Sequence, residues 1–218
     1  MLLLLRSFFA MAEFRPIQAL LVAGFTLLSS GCAMMSNTTT LKIETPANVT
    51  VMATAQYSEL FRGVCFLPED YAGDPEPDKK RFSTVRHPRP FTTGFEVQIA
   101  YTVEDCFLAL SGIDFMIEAT AGADGKDFDF STVALDVETY LKDDEELSTR
   151  LDEQVLQVRC RWRDPEAGRP LKRRLQCSGL DASGNELKGQ HLGMLKNRQL
   201  QGLVLRLKVD LADSTQAP

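Results

Sequence analysis

Residues 156–162 read Leu-Gln-Val-Arg-Cys-Arg-Trp, with an apolar side chain at every second position. That period belongs to a half-buried strand. The turn formers Asp164, Pro165, Gly168 and Pro170 follow, and Leu175 and Cys177 then resume the alternation. A hairpin folded about Gly168 sets Cys160 against Cys177 and Trp162 against Leu175. A disulfide needs Cα atoms ~4.4–6.8 Å apart, a separation that directly opposed strand residues supply. The segment therefore predicts a covalently closed hairpin, which commits the neighbouring chain to a sheet.

Other segments carry the same period. Leu203, Leu205, Leu207, Val209 and Leu211 share one face, while Arg206, Lys208 and Asp210 take the other. Phe95, Val97, Ile99, Tyr101 and Val103 predict one continuous strand, residues 113–119 another, and the β-branched run 48–54 a third. A further strand is expected over 61–67. The charged stretch 68–80, continuing through Arg86-His87-Pro88-Arg89-Pro90, reads as a long loop in which Pro75 and Pro77 forbid regular pairing. Between Phe128 and Leu141 the parity shifts, which predicts a bulge near Ser131 or a helix over 132–141, with strand preferred. Residues 142–150 read as a solvated turn or a short helical turn. Strands separated by turns predict a mainly β fold, a disulfide-stabilised β-sandwich or barrel-like single domain over 41–218 with at most one short helix. A split near 142–150 is the alternative.

The N-terminus is set apart by composition. Residues 17–28, IQALLVAGFTLL, followed by Ser29, Ser30 and Gly31, have the build of a secretory h-region and cleavage site. The run falls short of the ~20 apolar residues that span a bilayer, and Arg6, Glu13 and Arg15 interrupt what precedes it. Met11 offers a second start that leaves a signal peptide of ordinary proportions. Within this segment Leu28-Ser29-Ser30-Gly31-Cys32 resembles the lipobox of bacterial lipoproteins. The resemblance implies a signal peptide over 1–31, a diacylglyceryl thioether on Cys32, and acylation of its new amino group. Ser29 stands where the box prefers Leu, which keeps cleavage after Ala33 open as the alternative. The family's sorting rule retains proteins at the inner membrane when Asp follows the cysteine. Ala33 therefore implies the periplasmic face of the outer membrane. Several acyl chains on one residue hold firmly where a single chain binds reversibly, and residues 32–40 would form a lipidated tether.

With Cys32 committed to lipid, the five cysteines become four: Cys65, Cys106, Cys160 and Cys177. An even set in an oxidising compartment predicts two disulfides. Cys65–Cys106 follows by elimination from the hairpin pair. A metal site is not indicated, because there is no C-x-x-C spacing and only His87 and His191 are available. Removing Arg6, Arg15 and Glu13 turns 24 basic and 30 acidic residues into 22 and 29, a formal charge of −7. Such an acidic chain lacks the basic excess of nucleic-acid-binding proteins.

No catalytic or cofactor signature emerges. Ser111 and Ser178 lack a nucleophile elbow, His87 and His191 sit in loop-like contexts, and Asp127, Asp129 and the 143–147 run read as solvated acids. The one local charge anomaly is the hairpin, whose outward face carries Arg159, Arg161 and Arg163 opposite Lys172 and Arg174. That patch is the candidate site for an acidic protein partner or anionic lipid head groups. The expectation is a membrane-anchored periplasmic lipoprotein acting as a non-enzymatic binding module, of adaptor, assembly-accessory or toxin-immunity type. A small envelope hydrolase and a lipid or lipopolysaccharide carrier are the alternatives. Palmitate labelling tests the anchor: label should enter the wild-type chain and vanish in Cys32→Ala, and labelling unchanged by the substitution contradicts it.

Overall fold

The computed structural model describes residues 37–60, 76–103, 106–121, 127–139, 152–164 and 173–212. The chain divides into units of residues 1–35 and 36–218, and the described residues all belong to the second. Their strands are β1 (Thr38–Thr45), β2 (Val49–Glu59), β3 (Asp78–Ser83), β4 (Phe91–Gln98), β5 (Ala100–Val103) and β6 (Cys106–Ala121), then β7 (Asp127–Glu138), β8 (Glu153–Arg163), β9 (Arg174–Leu180), β10 (His191–Lys196) and β11 (Val204–Ala212). A 3-10 turn at Asn197–Leu200 is the single helical element among the described residues. The fold is mainly β, with two mixed sheets arranged like a sandwich. Sheet I has the order β4-β1-β11-β8-β9, and sheet II the order β10-β7-β6-β2-β3 with β5 also against β6.

The alternation in the chain decides what lies between the sheets. Leu41 and Ile43 of β1, Leu205 and Leu207 of β11, and Leu156 and Val158 of β8 face Val51, Ile113, Phe115, Ile117, Val133 and Leu135 of sheet II in one buried cluster. Each such side chain removed from water contributes about 1.5–3 kcal/mol. Strands from both sides of residues 142–150 enter both sheets.

The hairpin has the expected register, Cys160 against Cys177 and Trp162 against Leu175. The cysteines are bonded with Cα atoms 4.0 Å apart. Cys106 also stands in a disulfide; Cys65, its expected partner, lies outside the described residues. So do Cys32, the expected strand over 61–67, the 142–150 turn, Arg169 and Lys172.

Several expectations are corrected. β1 begins at Thr38, so the last three residues assigned to the tether are strand, with Thr39 fully buried and bonded through its hydroxyl to the Leu203 carbonyl at 2.8 Å. The 68–90 loop contains β3, which starts directly after Pro77 and pairs with β2 from Tyr57↔Asp78 to Met52↔Ser83. Its charges suit an edge strand, because an edge side chain stays in water while the backbone pairs on one side. The strand expected over 95–103 is two strands. β4 pairs with β1 in sheet I and β5 with β6 in sheet II, and the chain changes sheets at Ile99. Asn37 secures this corner: its carbonyl accepts from Ile99 N–H at 2.8 Å. β7 is strand throughout, with neither bulge nor helix, in unbroken register with β6 from Ala121↔Asp127 to Gly112↔Asp136. A bulge does occur elsewhere, in β2–β6, where the pairing passes from Gln56↔Gly112 to Tyr57↔Leu110. Ser111 is the extra residue, and its hydroxyl donates to the Gln56 carbonyl at 3.2 Å.

Tyr57, opposite that bulge, keeps the inward parity of Val51, Ala53 and Ala55. Its hydroxyl donates to the Gln98 carbonyl at 2.9 Å, and its ring meets Tyr101 edge-on at 4.8 Å. Lys80 lies 3.5 Å from the Tyr101 ring centre, and Tyr101 is hydrogen-bonded to Asp78. Burial, and secondarily the Asp78 charge, pushes the Tyr57 phenol from 10.0 up to about 12. The folded value lies above the unfolded one, so this contribution to stability is whole below pH 10 and is lost as pH rises towards 12. Denaturation midpoints should therefore fall across that window in the wild type and less in Tyr57→Phe. Tyrosinate absorbance should show one late-titrating group that the substitution removes. A Tyr57 that titrates with ordinary tyrosines contradicts the buried placement.

Candidate functional site

The outward face of sheet I holds the predicted basic residues. Arg159, Arg161 and Arg163 project from β8, with Ser178, Gln176 and Arg174 in register opposite them. One of the three arginines is ion-paired, and the others have polar neighbours. Arg161 contacts Glu186 at 2.8 Å, Arg163 Nε donates to Gln176 at 2.9 Å, and Arg159 lies in register with Asp210 of β11. Further across, Arg206 bridges Glu153, 2.8 Å from its Nε, and Glu44. These carboxylates hold its guanidinium charged, raising its pKa. Arg163 and Arg174 remain directly opposed at the hairpin's outer end. The patch is thus a mixed-charge face with a local basic end, not a continuous positive field. The acids come from separate places in the chain, Asp210 from parallel β11, Glu44 from β1, Glu153 from β8 itself and Glu186 from beyond β9, and local sequence does not reveal that they meet here.

The second face is set by what β9 requires of β7. β9 is the margin of sheet I, and backbone donors on its far side need acceptors. Leu175 N–H donates to Asp129 Oδ2 at 2.8 Å, and Cys177 N–H donates to Ser131 Oγ at 3.1 Å. Both acceptors come from β7, in the opposite sheet. Beyond them Leu187 N–H donates to the Gly179 carbonyl at 2.8 Å. A Cβ on Gly179 would stand 2.8 Å from Leu192 and 2.9 Å from the His191 carbonyl, so only glycine permits this approach of β9 to β10.

Strand geometry then places Phe128 and Phe130 outside, because successive side chains point to opposite faces. They are 41% and 54% exposed, and Val85 beyond the end of β3 is 76% exposed. The Arg86 guanidinium lies over the Phe128 ring at 6.0 Å. In register with Phe130 is Glu118, which accepts from Thr50 Oγ at 3.2 Å, and Met116 and Met52 face each other one row on. The result is an aromatic and thioether surface beside the 84–90 segment, rimmed by acids. Exposed aromatic side chains on a regular strand make this face the candidate contact surface.

Phe128 and Phe130 have the opposite parity to Val133, Leu135 and Val137, and this is what points to a bulge or helix in the sequence. The available signal was the longer run. Extending the parity of Val133, Leu135 and Val137 backwards places Ser131 and Asp129 inside.

The remaining reactive side chains are dispersed. His191 Nδ1 lies 3.1 Å from Asp136 Oδ2 on the open face of β10 and β7, with side chains 65% and 50% exposed. A contact so open to water contributes little. His87 stacks on Phe91 at 5.4 Å between centroids. Among the described residues no three His, Cys, Asp or Glu side chains are grouped to hold a metal ion. No helix among them is long and apolar enough to cross a membrane. No family model, curated protein or solved structure matches this chain.

Proposed function

We propose that this chain is an envelope lipoprotein whose β-sandwich is a non-catalytic binding module, holding a protein partner on the outward face of sheet II. The carrying observation is the pair Phe128 and Phe130, both large, both exposed, and both held rigidly by an unbroken strand ladder. Aromatic side chains on rigid backbone give large contact area at small entropic cost, which is why they dominate interface cores. Arg86 lies over the Phe128 ring, while Glu118 and Asp114 supply acidic groups at the margin that favour a partner with basic side chains there. The lipobox-like segment supports anchoring through Cys32, and a domain starting at Thr38 would then sit close to the membrane surface. Adaptor, assembly-accessory and toxin-immunity roles all fit such a module. The basic end around Arg163 and Arg174 is the secondary contact for acidic groups.

The test is site-specific photocrosslinking in intact cells, with a photoreactive phenylalanine analogue in place of Phe130 or Lys208. Position 130 should give a discrete protein adduct that Phe128→Ser abolishes, and position 208 on sheet I should not. No adduct at 130, or the same adducts at both positions, contradicts the proposal.

A further inference from the structure

Exposed sheet margins template the pairing of further strands, and proteins blunt them with charges, bulges or covering groups. Three margins among the described residues carry such devices. The outward donors of β9 are taken by Asp129 and Ser131. The β10 ladder is broken between His191 and Met194, around Gly193 at φ 116°. β3 carries Lys79, Lys80 and Arg81. β4 has none of these. Its eight residues, FTTGFEVQ, hold no proline and no basic side chain, and all of them keep register with β1.

The hydrogen-bond phase of β4 follows from its corner. Ile99 N–H donates to the Asn37 carbonyl, and antiparallel pairing alternates from there. Odd-numbered residues of β4 bond to β1, and the N–H and C=O groups of Thr92, Gly94 and Glu96 point away from the sheet. Gly94 stands at the middle of this unpaired row, and a Cβ built there meets nothing within 4 Å.

We propose that β4 is a strand-addition interface whose occupant is β4 of a second copy of this chain, antiparallel about a twofold axis at Gly94. In that register Gly94 opposes Gly94 of the second copy, and Thr92 opposes Glu96. All three unpaired residues find partners, and Gln98, whose carbonyl already accepts from Tyr57, is not required. Glu96, the only charge on the strand, meets a threonine and never its own copy. On the inward face Thr93 opposes Phe95, and Phe91, 39% exposed, opposes Val97. The strand is therefore self-complementary in charge and in apolar pattern. The basic residues of β3 lie at the same side, where Phe82 meets Phe95 at 5.5 Å between centroids. Their mutual repulsion confines the joining to sheet I. A single added strand pair sits at the small end of interface sizes, so the association is reversible.

Cysteine crosslinking of the full chain in cells tests this. Gly94→Cys should yield a disulfide-linked dimer on non-reducing gels, as should Thr92→Cys co-expressed with Glu96→Cys, while Lys208→Cys, on the same face but set back from the margin behind β1, should stay monomeric. Gly94→Lys, which the open space accommodates, should leave the melting temperature unchanged and weaken self-association by about tenfold or more, because like charges then oppose each other. Absence of the Gly94→Cys dimer, or equal dimer from Lys208→Cys, overturns the proposal. So does self-association unaffected by Gly94→Lys.

Discussion

The backbone of β9 depends on two side chains from the opposite sheet. At the margin of sheet I, Leu175 and Cys177 direct their N–H groups away from β8, and a buried donor without an acceptor costs ~1–3 kcal/mol. Asp129 and Ser131 supply those acceptors. This joins the sheets along one side, beside the Cys160–Cys177 disulfide. It also explains that bond's place. Residues whose N–H groups face away from the partner strand form the close, non-hydrogen-bonded pairs of an antiparallel ladder, and Cys160 and Cys177 are one of them, with Cα atoms 4.0 Å apart.

The same constraint shapes the surface. A strand with period 2 cannot turn Asp129 and Ser131 inward without turning Phe128 and Phe130 outward. The polar seam and the aromatic patch are two sides of one strand, so the register that sets one sets the other. The strand beneath the patch is well tied: β7 pairs with β6 from Asp127 to Asp136, and its inward Asp129 and Ser131 are hydrogen-bonded to β9. The opposite side of the sandwich is built differently. There Tyr57, Tyr101, Lys80 and Phe82 close the seam by packing, and among the described residues β4 keeps the outer backbone groups of Thr92, Gly94 and Glu96 unpaired.

Features fixed by local chemistry were legible in the chain. The hairpin register followed from two alternating runs about a Gly-Pro-rich turn, and the buried face of β11 from five regularly spaced aliphatic residues. Features fixed by distant partners were not. Nothing near β11 announces that both its neighbours run parallel to it, yet that arrangement sets Asp210 beside Arg159. β3 was hidden by its charges, which suit an edge strand as well as a loop. Ile99 continues the alternation of its neighbours, so the change of sheet there left no local mark. Phe128 and Phe130 misled because aromatic residues are more often buried than exposed, and the need that overrode hydrophobicity came from β9.

Urea denaturation of Ser131→Ala and Phe130→Ser, side by side, tests this account most directly. The account predicts that Ser131→Ala costs ~1–3 kcal/mol by stranding the Cys177 N–H. Phe130→Ser should change stability by no more than about 0.5 kcal/mol, as an exposed site does. A loss of ~3–5 kcal/mol in Phe130→Ser, the cost of truncating a core phenylalanine, together with a neutral Ser131→Ala, would show that β7 presents its faces the other way round.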